Sequence, residues 1–180
     1  LGTRCSLFVS GCEHQCKGCY NQSTWRLDSG HLFTQEMSDR IIADLKDTKV
    51  RRRGLSLSGG DPLHPANLVE IYALVTRVRN ECPDKDIWCW TGYRLDELTP
   101  DQRSIVDLVD VLIDGKYIAE IADPSLVWRG SSNQVIHEFD RSGAWWRQSS
   151  QNIGTSQLHA LSSSARVSDQ PVTRQCGSRS

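Results

Sequence analysis

Residues 54–62 read GLSLSGGDP: a short β-prone segment, Leu55 to Ser58, set between Gly54 and the pair Gly59–Gly60 and closed by Asp61 and Pro62. Immediately downstream, the stretch from Pro65 to Asn80 carries Leu68, Ile71, Tyr72, Val75 and Val78 on one helical face. A strand that passes through a glycine turn into a helix is the repeating unit of a parallel α/β sheet, and the flanking sequence repeats it. Upstream lie a strand-like run at 3–9 (TRCSLFV) and a helix capped by Thr34, with Met37, Ile41, Ile42 and Leu45 on one face. Downstream, DIWCWT (86–91) ends at Gly92, and Thr99-Pro100 with Gln102 reads as a capped helix start. VLID (111–114) stops at Gly115, and QVIHEF (134–139) supplies a last strand. The expected class is α/β, with parallel strands and no internal repeat.

The chain has 180 residues, enough for one domain with a real core. Its formal net charge of -1 gives no electrostatic case for nucleic acid or an anionic membrane as partner. No apolar run approaches the roughly 18 residues of a membrane span. Seven cysteines, odd in number and clustered, are not a secreted disulfide framework; they favour metal binding in a reducing compartment, so the expected location is the cytoplasm. The start at Leu1, without Met, reads as a truncation. Past about Phe139 the character changes: residues 148–180 are rich in Ser, Gln and Arg, with almost no apolar periodicity. The division expected is therefore a domain at 1–139 and a disordered or non-native tail at 140–180, with Trp145-Trp146 as stray exposed aromatics.

In a parallel sheet, the loops at the carboxyl ends of the strands share one rim, where ligands bind. Four unusual segments follow the expected strands: CEHQCKGC (12–19), SGGDP (58–62), TGY (91–93) and DGK (114–116). Cys12, Cys16 and Cys19 make a C-x3-C-x2-C loop. Three thiolates can hold three irons of a [4Fe-4S] cube and leave one iron open; zinc, with His14 as the fourth ligand, is the alternative. Gly59 and Gly60 let backbone approach a ligand without a Cβ in the way. Asp114 and Lys116 alternate, so both can face one side of the rim. No His/Asp or Ser/His pair is expected there, and no catalytic side chain beyond the cluster.

These residues resemble the radical S-adenosylmethionine superfamily. The stretches TRCSLFVSGCEHQCKGCYNQSTW, LSLSGGDPLHP, WCWTGY, VLIDGKY and WRGSSNQ are similar, in that order, to the family that activates anaerobic ribonucleotide reductases. The resemblance covers about residues 2–139; the family has a short segment before Gly2 and ends near Phe139, so the tail reads as a frameshifted or foreign extension. It implies a small partial (β/α) barrel. It implies a [4Fe-4S] cluster on Cys12, Cys16 and Cys19 and S-adenosylmethionine on the open iron. Gly18, Cys19, Tyr20, Gly59, Gly60, Asp61, Asp114 and Lys116 are the implied cofactor-binding set, with Tyr20 near the adenine. The implied reaction is reductive cleavage of S-adenosylmethionine to a 5′-deoxyadenosyl radical. That radical takes a hydrogen from a glycine of the large glycyl-radical subunit of anaerobic ribonucleotide reductase. A flavodoxin-like or ferredoxin-like protein would donate the electron.

Other readings stay open on the sequence: radical chemistry on another glycyl-radical enzyme or a small molecule, a zinc-binding module, or an electron carrier, although a carrier prefers four cysteines. Cys5, Cys82 and Cys89 read as buried or incidental thiols, and Cys176 as part of the tail. Arg51 to Arg53 form a solvated basic run, or a docking patch for an acidic electron donor. WRGSSNQ (128–134) is an ordinary loop or lines the contact with a protein substrate.

Overall fold

The computed structural model of the chain describes residues 2–140 and 166–168. Trp145, Trp146, Cys176 and most of the tail lie outside the described residues.

The elements follow in order β1 (Cys5–Val9), β2 (Gly30–Leu32), α1 (Gln35–Lys46), β3 (Gly54–Gly59), α2 (Leu68–Glu81), β4 (Asp86–Trp90), α3 (Pro100–Val106), β5 (Val111–Asp114), β6 (Val135–Glu138) and β7 (Arg166–Ser168). They form a mixed α/β structure around one sheet, ordered β2-β7-β1-β3-β4-β5-β6. The inner strands β1, β3, β4 and β5 run parallel. Helix-bearing connections permit that, because a chain must cross over the sheet to re-enter it in the same direction.

Two features differ from the all-parallel expectation. β6 pairs with β5 antiparallel, Asp114 opposite Val135. Between them residues 115–134 contain a short 3-10 turn at Ala119–Ile121 and an isolated Ala122–Ser131 bridge but no α-helix, so the chain folds straight back without a crossover. At the other edge the short β2, not expected from the sequence, pairs antiparallel with β7, and β7 meets β1 through Val9 and Val167. Within the tail, then, Arg166–Ser168 are strand.

Strand alternation separates the two sheet faces. Cys5, Leu7, Val9, Leu55, Leu57, Ile87, Cys89 and Leu112 point to one face. There they form a continuous core with Ile41, Ile42 and Leu45 of α1, with Ile71, Leu74, Val75 and Val78 of α2, and with Ile105 and Val106 of α3. The other face carries Ser6, Phe8, Ser56, Ser58, Trp88, Trp90, Val111 and Ile113, and Val111 and Ile113 are buried without joining that helix-side core. Trp88 lies 5.1 Å, edge-on, from Trp128 and 5.8 Å from Trp90. Arg4 sits 5.1 Å over the Trp88 ring and ties β1 to its neighbours through Ser56 Oγ, Leu55 O and Asp86.

The expected caps are present. Thr34 Oγ1 accepts from Met37 N at 3.3 Å. Thr99 and Gln102 close a reciprocal capping box, and the buried Gln102 amide also donates to Leu63 O at 2.8 Å, which docks α3 beneath the turn after β3.

Candidate iron–sulfur site

The parallel register sends the ends of β1, β3, β4 and β5 to the same rim, and the loops there are joined by specific bonds. The cysteine loop leaves β1 through Ser10 and Gly11. Gly60 N donates to Val9 O and Asp61 N to Gly11 O, each at 2.7 Å, so the GGD turn continues the β1–β3 ladder. On its other side, Gly11 N and Cys12 N donate to Thr24 O and Trp25 O at 2.8 and 2.9 Å. The glycine pair is required by this closeness: a Cβ on Gly60 would stand 2.5 Å from Gly11 O, and one on Gly59 (φ 101°) 2.6 Å from Val9 N and O. The body that approaches Gly59 and Gly60 so closely is the chain's own backbone. Buried Asn67 seals the turn by donating to both Ser10 O and Asp61 O at 3.0 and 2.9 Å.

Cys12, Cys16 and Cys19 are half-buried and free of disulfides. Burial pushes the Cys12 thiol up to about 11, against amide bonds from His14 and Gln15 that favour the thiolate. Burial also raises Cys16, opposed by the amide of Tyr117 and the charge of Lys116. Cys19 Sγ accepts from Asn21 N at 3.3 Å. Gln15 (φ 45°) and Gly18 (φ 74°) turn the loop through left-handed conformations. A Cβ on Gly18 would meet Tyr117 and Ala119 at 3.7 and 3.6 Å, so the DGKY segment after β5 packs against the end of the cysteine loop. Lys17 and Glu120 add an exposed ion pair at 3.2 Å, a contribution that solvent screening keeps small.

Apart from Gly59 and Gly60, the expected cofactor residues divide into two groups. Gly18, Cys19, Tyr20 and Lys116 lie toward solvent around the loop, and Tyr20 is 96% exposed. Asp61 and Asp114 are instead buried under the rim with their carboxylates engaged. Asp114 Oδ2 accepts from Leu95 N at 2.7 Å and stands 3.0 Å from His137 Nε2. It therefore does not share a face with Lys116, because Gly115 (φ 96°) breaks the strand alternation between them. Asp61 accepts from Leu63 N, Thr91 Oγ1 and Gly92 N at 2.9 Å each, and its Oδ2 is 2.8 Å from His14 Nε2. A buried His/Asp pair thus exists at the rim where none was expected.

That pair also bears on zinc. His14 Nε2 faces Asp61 and its ring meets Tyr93 edge-on at 4.5 Å, so this nitrogen is not directed to the thiols. Among the described residues, no group of three His, Cys, Asp or Glu side chains is drawn together around a single-ion position.

Three residues that hold the site had been given no such role from the sequence, although Thr91 and Gln134 lie in segments singled out there. Thr91 is a buried donor to Asp61, Asn67 the seal described above, and Gln134 accepts from Gly130 N and donates to Gly115 O, folding WRGSSNQ onto the DGK turn. The signals in the sequence were a Thr just before a strand-end glycine and the polar WRGSSNQ loop; Asn67 gave none. Arg51 to Arg53 lie before β3, at the opposite end of that strand from the rim. Arg52 pairs with Asp44 and Asp47, and Arg53, still largely exposed, with Asp86. Among the described residues no helix is long and apolar enough to cross a membrane.

Residues 1–137 match the model of a family described as 4Fe-4S single cluster domain. Among curated relatives, an anaerobic ribonucleoside-triphosphate reductase-activating protein of Vibrio cholerae serotype O1 is 70% identical over 138 residues, covering 77% of this chain and 89% of that one. The protein of the same name from Escherichia coli (strain K12) is 64% identical over 136 residues, 76% and 88% of the two chains. That of Enterobacteria phage T4 is 44% identical over 144 residues, 80% and 88%. No solved structure matches. The chain belongs to the 4Fe-4S single cluster domain family and, within it, to the anaerobic ribonucleoside-triphosphate reductase-activating proteins.

Proposed function

We propose that this chain activates an anaerobic ribonucleoside-triphosphate reductase by installing a glycyl radical in its large subunit, with a [4Fe-4S] cluster on Cys12, Cys16 and Cys19 and S-adenosylmethionine as co-substrate. The observation that carries the reading is the gathering of the cysteine loop, the GGD turn and the DGKY segment on one rim, in a chain whose relatives bear that activity in their names. When bound, the cluster and S-adenosylmethionine supply a low-potential electron and a hydrogen-abstracting organic radical.

The donor set fits such a group. Thiolates are the ligands of iron–sulfur clusters, and a cluster takes each sulfur on a different iron, so the thiols need not converge on one ion. Amides of His14, Gln15 and Tyr117 and the charge of Lys116 act on Cys12 and Cys16; such outer contacts stabilise thiolate charge and tune a cluster. Thiols bind iron as thiolates, so loading the cluster on Cys12, Cys16 and Cys19 would release protons at neutral pH. Gly59 and Gly60 keep the turn flush with the loop. Tyr20 is free to fold over a bound nucleoside, and Lys116 offers a cation to a carboxylate beside Cys16. We read the open sheet as a partial (β/α) barrel, its helix-free face turned inward. A flavodoxin-like or ferredoxin-like protein is the proposed electron donor, and the cytoplasm the proposed location.

Anaerobic reconstitution tests the reading. It predicts brown protein with about four irons per chain, a reduced-state EPR signal that shifts when S-adenosylmethionine is added, and a glycyl-radical EPR signal when reductase is present. Colourless protein carrying one zinc would overturn it.

A further inference from the structure

His14 is not one of the proposed ligands, yet its side chain is 5% exposed and that of its partner Asp61 is 1% exposed. Asp61 is held from several sides: its oxygens take the Leu63 amide, the Thr91 hydroxyl and the Gly92 amide, which tie it to the ends of both β3 and β4. The remaining donor, at 2.8 Å, is His14 Nε2. The imidazole occupies space that exists only because residue 92 is glycine, since a Cβ there would overlap the ring. Tyr93 closes the pocket edge-on at 4.5 Å, and its hydroxyl donates to Glu13 Oε1 at 2.7 Å. Glu13 and His14, between Cys12 and Cys16, are therefore both held by the loop after β4. Upstream, Asp61 N holds Gly11 O; downstream, Tyr117 and Ala119 back Gly18.

We propose that His14 and Asp61 are a positioning pair: their buried hydrogen bond holds the centre of the cysteine loop in place before any cluster is present, so that three thiols on a short loop are presented rather than searched for. An isolated loop of this length has many conformations, and ordering it costs entropy that would otherwise oppose cluster assembly. A hydrogen bond between two buried side chains works against that cost. The inference deepens the cluster reading, and only its second arm depends on that reading.

The test uses the full chain with His14→Ala, His14→Phe and His14→Gln. Phe keeps the ring packing without the donor, while Gln restores an N–H near the Nε2 position. In metal-free protein, hydrogen exchange should accelerate at amides 11–19 by roughly ten- to hundredfold in the Ala and Phe variants, as expected for loss of a buried bond to a charged group. Exchange in β3 and β4 should stay unchanged, and the Gln variant should resemble the parent. After anaerobic reconstitution, cluster loss to an iron chelator should accelerate in the same order, with iron per chain at full loading and the reduced EPR signal unchanged. Unchanged loop exchange in His14→Ala, parental behaviour of His14→Phe, or no rescue by His14→Gln would each overturn the pair as a positioning device. Fewer irons and an altered EPR signal in His14→Ala would overturn it in favour of His14 as a ligand. If the parent took up no cluster, the proposed function would fall while the exchange arm still decided the role of the pair.

Discussion

Thr91 Oγ1 donates to the carboxylate of Asp61, 2.9 and 3.0 Å from its two oxygens, and so ties the end of β4 to the turn after β3 with both side chains buried. The same hydroxyl accepts from Tyr93 N at 3.2 Å. Thr91→Val keeps the shape and removes both roles, leaving a buried carboxylate short of a donor. We expect a loss of about 1–3 kcal/mol, measured by chemical denaturation of the metal-free protein, with Thr91→Ser recovering most of it.

The glycines of the rim should rank by what surrounds them. Gly60→Ala places a methyl against backbone oxygens of Gly11 and Thr24, which cannot swing aside as a flexible side chain would. It should cost about 1–3 kcal/mol or more and impair iron uptake. Gly18→Ala meets only Ala119 and Tyr117 at contact distance, so its cost is the φ of 74°, about 1 kcal/mol. Thermal melts and iron content of the two variants, side by side, check the order.

The thiols should separate by place in the fold. Cys16→Ser should lower iron per reconstituted chain and abolish cleavage of S-adenosylmethionine. Cys89 is fully buried between Leu57 and Leu112 on the helix side of the sheet. Cys89→Ser should keep the iron and instead lose about 1–3 kcal/mol of stability, the cost of a buried hydroxyl without a partner. Iron assay and denaturation on the same preparations distinguish the two.

Alkaline pH should expose the burial of Cys5. Burial, followed by the charge of Asp44, pushes its thiol from 9.0 to about 11. Between those values the unfolded chain has lost this proton and the folded chain keeps it, so stability falls as pH rises through the window. The loss approaches about 2–3 kcal/mol by pH 11. In Cys5→Val this contribution vanishes, and the difference between the two denaturation profiles from pH 8 to 11 measures it.

Much of the architecture was legible because local physics dictates it. TRCSLFV at 3–9 reads as a short strand, and Thr99 with Gln102 reads as a helix start; both are so. β6 was expected as a strand but not as antiparallel, since direction depends on the path of the 115–134 loop. β2 was not expected at all: three residues carry no periodicity, and its pairing partner β7 lies far along the chain, with Leu32 opposite Arg166.

The site divides along the same line. The sequence by itself determined where to look: three thiols at C-x3-C-x2-C spacing and a glycine pair at a strand end, because these depend on residue type and short spacing, although the glycines were expected to admit a ligand and instead admit the chain's own backbone. Only the tertiary structure decided what the polar residues do. Asp61 and Asp114 looked like ligands for a cofactor, yet both turn inward. A carboxylate is defined by the donors around it, and those of Asp61 come from residues 14, 63, 91 and 92, which are neighbours only once the parallel strands have brought their ends together.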